Sequence, residues 1–173
     1  MRFFALPLAL MLSGLLSACG LSPMYAGGGD GRVAAGLDAV TVAAIPGQQG
    51  WLMRDALVQK LGSADAGARY RLDVRLDDQL DGLGLLGDDT IGRERRTLRA
   101  RYRLVDLATG QTVLDATAGS DAGIDVVSSE YATIAAEQTA LENLTREVAD
   151  MIVAQIALKM RAAPVQTAAQ PAG

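Results

Sequence analysis

Two stretches of this chain alternate with a period of two, and they restrict the fold more than any other feature. In the first, Tyr70, Leu72, Val74 and Leu76 are interleaved with Arg71, Asp73, Arg75 and Asp77. In the second, running from Arg93 to Leu107, Leu98, Ala100, Tyr102 and Leu104 alternate with Arg93, Arg95, Thr97, Arg99, Arg101 and Arg103. Successive side chains on a strand point to opposite faces, so each stretch predicts a half-buried strand. The sheet they form has one face in water and one that other elements must cover.

The covering elements come from the rest of the chain. Leu37 to Ile45 is an apolar, β-branched run and predicts a strand that Pro46-Gly47 ends. Gln48 to Leu61 has helical spacing, with Trp51, Leu52, Ala56, Leu57, Val58 and Leu61 on the inner side and Gly62 as the C-terminal cap. Gln79 to Asp89 reads as a loop, Ala108 to Gln111 as a hairpin turn, and Gln111 to Ala118 as the returning strand. Ser128 to Met160 predicts a long helix capped by Ser128 or Ser129, its stripe being Ile134, Leu141, Leu144, Val148, Met151, Ile152 and Ile156. Glu137 sits in or beside that stripe, either as a buried partner for an arginine or at the stripe's edge. The expected class is α+β: a two-layer sandwich of about four strands in a mixed or antiparallel sheet, with two helices on one face. The domain is expected over residues 37–161, with a disordered tail over 162–173.

The N-terminus is a separate matter. Met1-Arg2 is a short basic segment, and Phe3 to Leu16 is an apolar run broken only by Pro7, Ser13 and Gly14. It is shorter than the roughly 20 residues a spanning helix needs, and has the size of a signal-peptide core. It ends in Leu16-Ser17-Ala18-Cys19, a lipobox. Small residues let a peptidase reach the bond before Cys19, whose thiol takes the diacylglyceryl group. Cys19 is the only cysteine, so no disulfide competes for it. Residues 1–18 are thus expected to be removed, and Cys19 to carry acyl chains that hold the protein at a membrane. Residues 19–36, rich in glycine and small side chains, are expected to form a tether. Gly20, where an aspartate would favour inner-membrane retention, fits an outer-membrane destination on the periplasmic side.

Composition excludes several functions. The chain contains no histidine, which removes the usual general base and the commonest metal ligand. Neither a phosphate-binding glycine loop nor a Gly-x-Ser-x-Gly elbow occurs. Losing Arg2 with the leader leaves 15 basic residues against 20 acidic ones, a balance that argues against nucleic acid as a partner. The chain reads as a non-enzyme without a cofactor.

The arginine row is the most specific feature of the domain. Like charges along a strand repel unless something answers them. Asp73 and Asp77 on the neighbouring strand could do so as a cross-strand ladder. Alternatively the row binds an anion, since the planar guanidinium matches phosphate with two parallel hydrogen bonds.

In order, Cys-Gly-x-x-Pro-x-Tyr from Cys19 to Tyr25, YRLDVRL, TIGRERRTLRARYRLVDLATGQTVLDA and SSEYATIAAEQTALENLTREVADMI resemble the lipopolysaccharide-assembly lipoprotein family LptE, in its alphaproteobacterial form. The resemblance runs from Cys19 to about Leu158. It implies a plug inside the outer-membrane β-barrel protein LptD that assists barrel assembly and binds lipopolysaccharide. The positions matching the family's basic residues are Arg93, Arg95, Arg96, Arg99, Arg101 and Arg103, taken as a group. The other reading is a periplasm-facing lipid-binding lipoprotein that serves an ABC-type transporter.

Overall fold

The computed structural model describes residues 32–62, 67–85 and 91–162. The expected signal peptide, Cys19, residues 19–31 of the expected tether and residues 163–173 of the tail lie outside the described residues.

The order is α1 (Arg32–Asp38), β1 (Val40–Val42), α2 (Gln48–Leu61), β2 (Tyr70–Leu85), β3 (Ile91–Asp106), β4 (Thr112–Asp125) and α3 (Glu130–Ala162). The sheet is mixed, in the order β1-β2-β3-β4. β1 runs parallel to β2 after the α2 crossover, and β2, β3 and β4 are antiparallel neighbours. The three helices lie with the helix-facing side chains of the sheet, so the expected α+β two-layer architecture is what the chain forms.

Both period-two stretches are strands, and their inner rows make the core. Leu72, Leu98, Ala100, Tyr102 and Leu104 are buried in one cluster with Val40 of β1, Met53, Leu57 and Leu61 of α2, and Leu144, Val148, Ile152 and Ile156 of α3. The turn after β3 follows from its residues. The carboxylate of Asp106 accepts hydrogen bonds from the N–H groups of Ala108 (2.9 Å) and Thr109 (3.3 Å). Gly110, at φ +70°, donates its N–H to the Asp106 carbonyl oxygen at 2.8 Å. This is an aspartate turn closed by a residue free to adopt positive φ.

Several expectations are corrected. Residues 32–38, assigned to the tether and to the start of a strand, are the short helix α1, which packs on the end of α3: Gly36 lies beside the Met160 side chain. β1 is therefore only three residues long. Residues 79–85 of the expected loop continue β2, because the partner strand supplies main-chain bonds there whatever the glycines do to the pattern: Leu80 pairs with Arg96, Asp81 with Arg95 and Leu83 with Arg93. β4 likewise runs past Ala118 to Asp125, since β3 stays beside it throughout.

The helical stripes agree with those read in the sequence in most positions and depart from them in a few. Ala56, Leu57 and Leu61 are buried as expected, but Trp51 is 66% exposed, and Gly50 and Met53 complete the inner side in its place. Gly50 permits this close approach: a Cβ there would lie 2.5 Å from the carbonyl oxygen of Ile45. In α3, Ile134 and Met151 are exposed, and Thr133, Ala140, Thr145, Ala149, Val153 and Ala157 share the buried side with the other stripe residues.

Candidate functional site

The water-facing side of the sheet carries the arginine row, and its partners differ from those the sequence suggested. Register puts Arg71, Asp73, Arg75 and Asp77 of β2 on this face, opposite Val105, Arg103, Arg101 and Arg99 of β3. On the other flank Asp125, Asp121 and Asp115 of β4 stand opposite Arg93, Thr97 and Arg103. The ion pairs form mainly with β4: Arg93 with Asp125 at 3.4 Å, Arg95 with Asp121 at 3.7 Å, and Arg101 with Asp115 at 3.2 Å. Asp73 is taken by Arg71 of its own strand at 3.0 Å, and Asp77 accepts from Gln79. The ladder with Asp73 and Asp77 therefore does not form.

These surface pairs are solvent-exposed, and each contributes only about 0–1 kcal/mol. Their consequence is where they leave charge uncompensated. Among the described residues, Arg75, Arg99 and Arg103 have no ion pair, although Arg75 stands directly across from Arg101. A depression of about 280 Å³ is lined by Asp73, Arg75, Arg101 and Arg103. A second of about 240 Å³ lies beside it, lined by Arg99 with Thr97, Thr117, Gly119, Ser120 and Asp121. Gly119 keeps this second hollow open, since a Cβ there would come within 3.1 Å of the Arg99 side chain and the Leu98 carbonyl oxygen. The hydrogen bond from Arg101 to Asp115, with the charge of that carboxylate, raises the Arg101 pKa further above its ordinary value.

Arg96 stands apart from the group. It points to the helix side, where its Nε and Nη2 donate to Asp78 at 2.9 and 2.6 Å and its Nη1 donates to the Glu137 carbonyl oxygen at 3.0 Å. The hydrogen bond to Asp78 is the main cause of its raised pKa, with burial opposing and the charges of Asp78 and Glu137 adding to it. The question about Glu137 is thereby answered: it is the arginine's partner, through its main chain. Glu94 is on the same side, with Oε2 buried and without a hydrogen-bond partner.

Arg75 joins the candidate site through the register: alternation places it on the wet face, and only its pairing opposite Arg101 brings it into the depression with Arg103. Among the described residues no cluster of acidic side chains, cysteine or histidine could hold a metal ion, and no helix is long and apolar enough to cross a membrane.

Comparison with known proteins is consistent in direction. The family profile for LptE, described as lipopolysaccharide-assembly, matches residues 37–156. A lipoprotein from Caulobacter crescentus superposes with a TM-score of 0.65 at 26% identity, over 76% of this chain and 96% of its own. Lipoprotein B from Nitrosomonas europaea gives a TM-score of 0.55 at 13% identity, over 71% and 84%. The rare lipoprotein B from Shewanella oneidensis gives 0.50 at 12%, over 69% and 93%. These last two share the fold. No curated protein matches the chain in sequence.

Proposed function

The chain belongs to the lipopolysaccharide-assembly family LptE, and from that premise we propose that it is a non-catalytic lipoprotein of the outer membrane. Cys19 carries the acyl chains, and the domain faces the periplasm. There it plugs, and helps to assemble, an LptD-like β-barrel through which lipopolysaccharide reaches the cell surface. The observation that carries this reading is the match of the family profile across nearly the whole described domain.

The arginine face gives the ligand half of the proposal. Arg93, Arg95 and Arg101 are answered by β4, so phosphate groups of lipopolysaccharide are met by Arg75, Arg99 and Arg103. Such a site gains from charge-assisted hydrogen bonds, each worth roughly twice a neutral one. It is screened by salt, because it is open to water.

Two measurements test the proposal. Purification from the native envelope through a C-terminal tag is expected to bring down a large β-barrel protein in equimolar amount. Recovery of the tagged protein alone, or with an inner-membrane transporter, sinks the plug reading. Lipopolysaccharide binding by the purified protein is expected to fall about tenfold or more when Arg75, Arg99 and Arg103 are replaced together by alanine. Replacing the paired Arg93 and Arg95 is expected to change it less than threefold. Equal losses from both sets would mean that only diffuse charge is at work.

A further inference from the structure

The sheet has two edges, and they are built very differently. The β1 edge is three residues long, short enough to offer no template to another strand. The β4 edge runs over fourteen residues, Thr112–Asp125, with β3 on one side and no strand on the other among the described residues. Proteins usually guard such an edge with proline, lysine, a bulge or an inward-pointing charge. β4 has neither proline nor lysine, and its one register irregularity lies at its base, near Leu104 and Val105. Its helix-facing row is Leu114, Ala116, Ala118, Ser120, Ala122 and Ile124, without a charge.

The direction of the free groups follows from the pairing. The Val126 N–H donates to the Gly92 carbonyl oxygen across the ladder. Alternate residues of an antiparallel strand bond to the same side, so Thr117, Gly119 and Asp121 direct their N–H and C=O groups outward. Beneath this edge, between β4 and the N-terminal half of α3, runs an open groove of about 610 Å³. Ala122, Ile124, Ala135, Ala136 and Ala140 line it, and Asp121, Asp125 and Glu147 stand at its rim.

We propose that the β4 edge receives an extended strand of a partner polypeptide, whose side chains alternate between bulky apolar and basic residues. The apolar ones enter the groove, where small alanines leave room for them. The basic ones lie on the other face, beside Asp115, Asp121 and Asp125, whose side chains remain 40%, 62% and 81% exposed while paired with Arg101, Arg95 and Arg93 and so can be shared with a second cation. Main-chain hydrogen bonds supply affinity and the alternating pockets supply selectivity. A second copy of this chain fits poorly, because two-fold pairing of β4 with itself would bring the aspartate rows together. The proposal rests on the reading above for the source of the strand, which is the barrel partner.

Thr117→Pro tests it, because proline removes one outward N–H that the fold does not use and is tolerated on an edge. Thr117→Val keeps the N–H. The tagged full-length protein with valine is expected to recover the barrel at the wild-type level, and the proline variant at one tenth of that or less. Amide exchange at Thr117, Gly119 and Asp121 in the wild type is expected to be fast alone and slowed at least a hundredfold in the barrel complex. If the proline variant does not fold, the exchange measurement decides. A barrel recovered normally by Thr117→Pro, with no added protection at these amides, overturns the edge docking and leaves the barrel reading standing. Absence of the barrel from the wild-type purification overturns both. Protection in the isolated protein at twice the monomer mass would assign the edge to a second copy and overturn the proposal.

Discussion

Single residues in this domain are governed by whether a buried polar group finds a partner. Arg96 and Asp78 are mostly enclosed, with side-chain exposures of 15% and 13%, and they satisfy one another. Removing one member leaves the other's charge uncompensated, which costs about 3–5 kcal/mol in a fully buried pair. Arg96→Ala is accordingly expected to lower stability by about 2–3 kcal/mol in equilibrium urea unfolding, whereas Arg96→Met combined with Asp78→Leu should recover most of the loss. A double variant no better than the single one would show that packing, not charge, is what the pair supplies. Tyr102 is the opposite case: its ring fills the core, but its hydroxyl is buried without a hydrogen-bond partner. Burial raises its pKa above the ordinary tyrosine value, because the phenolate would be poorly solvated. The folded state thus holds its proton at pH values where the unfolded chain has lost it. Stability from this group is complete below the unfolded pKa of about 10 and is lost as pH rises through the folded value. Tyr102→Phe is expected to leave stability at pH 8 unchanged or about 1 kcal/mol higher. It should also flatten the fall in stability above pH 10; an equally steep fall in the variant would assign that loss to other groups.

Among the elements, α2 shows how a close approach is secured by one small residue. Gly50 in its first turn lies so near the Ile45 carbonyl that no side chain fits. Gly50→Ala gains roughly 1 kcal/mol of helix propensity. It also forces β1 and α2 apart, at an overpacking cost of typically 1–3 kcal/mol, here at the upper end because the obstacle is backbone. A net loss of about 2 kcal/mol is expected in urea unfolding; a neutral result would show that the Ala43–Gly47 connection yields freely. Sequence periodicity could not have found this contact, since it favoured Trp51 for the inner side. The same limit applies to β2 and β4. Their distal halves, rich in glycine, alanine and aspartate, have little strand propensity and are held by ladders to β3.

At the scale of the whole molecule the fold is polarised along the strands. α1, the start of β2, the β3–β4 turn and the end of α3 lie at one end; the end of β2, the start of β3 and the start of α3 lie at the other. Sixteen residues of β2 at about 3.3 Å each put the two ends roughly 50 Å apart. Cys19 precedes α1 in the chain, so an acyl anchor there would enter the domain from the α1 end. Cys19→Ser is expected to move the protein from the membrane to the soluble fraction while its thermal unfolding midpoint stays within about a degree, the described core being drawn from residues 37–157. Retention in the membrane fraction would show that protein contacts, not acyl chains, hold it there.

Order along the chain was enough to give the class of fold, the wet and buried faces of β2 and β3, and the hairpin turn at Ala108 to Gln111. Each of these is set by neighbours in sequence, through side-chain alternation or turn chemistry. Strand length, the true inner sides of α2 and α3, the pairing of Arg93, Arg95 and Arg101 with β4, and the isolation of Arg75, Arg99 and Arg103 were decided by assembly. Those features depend on which main-chain groups and which charges meet across strands remote in sequence. Strand alternation by itself sets Arg96 on the helix side with Leu98 and Ala100, and packing supplied its partners there, Asp78 and a helical carbonyl.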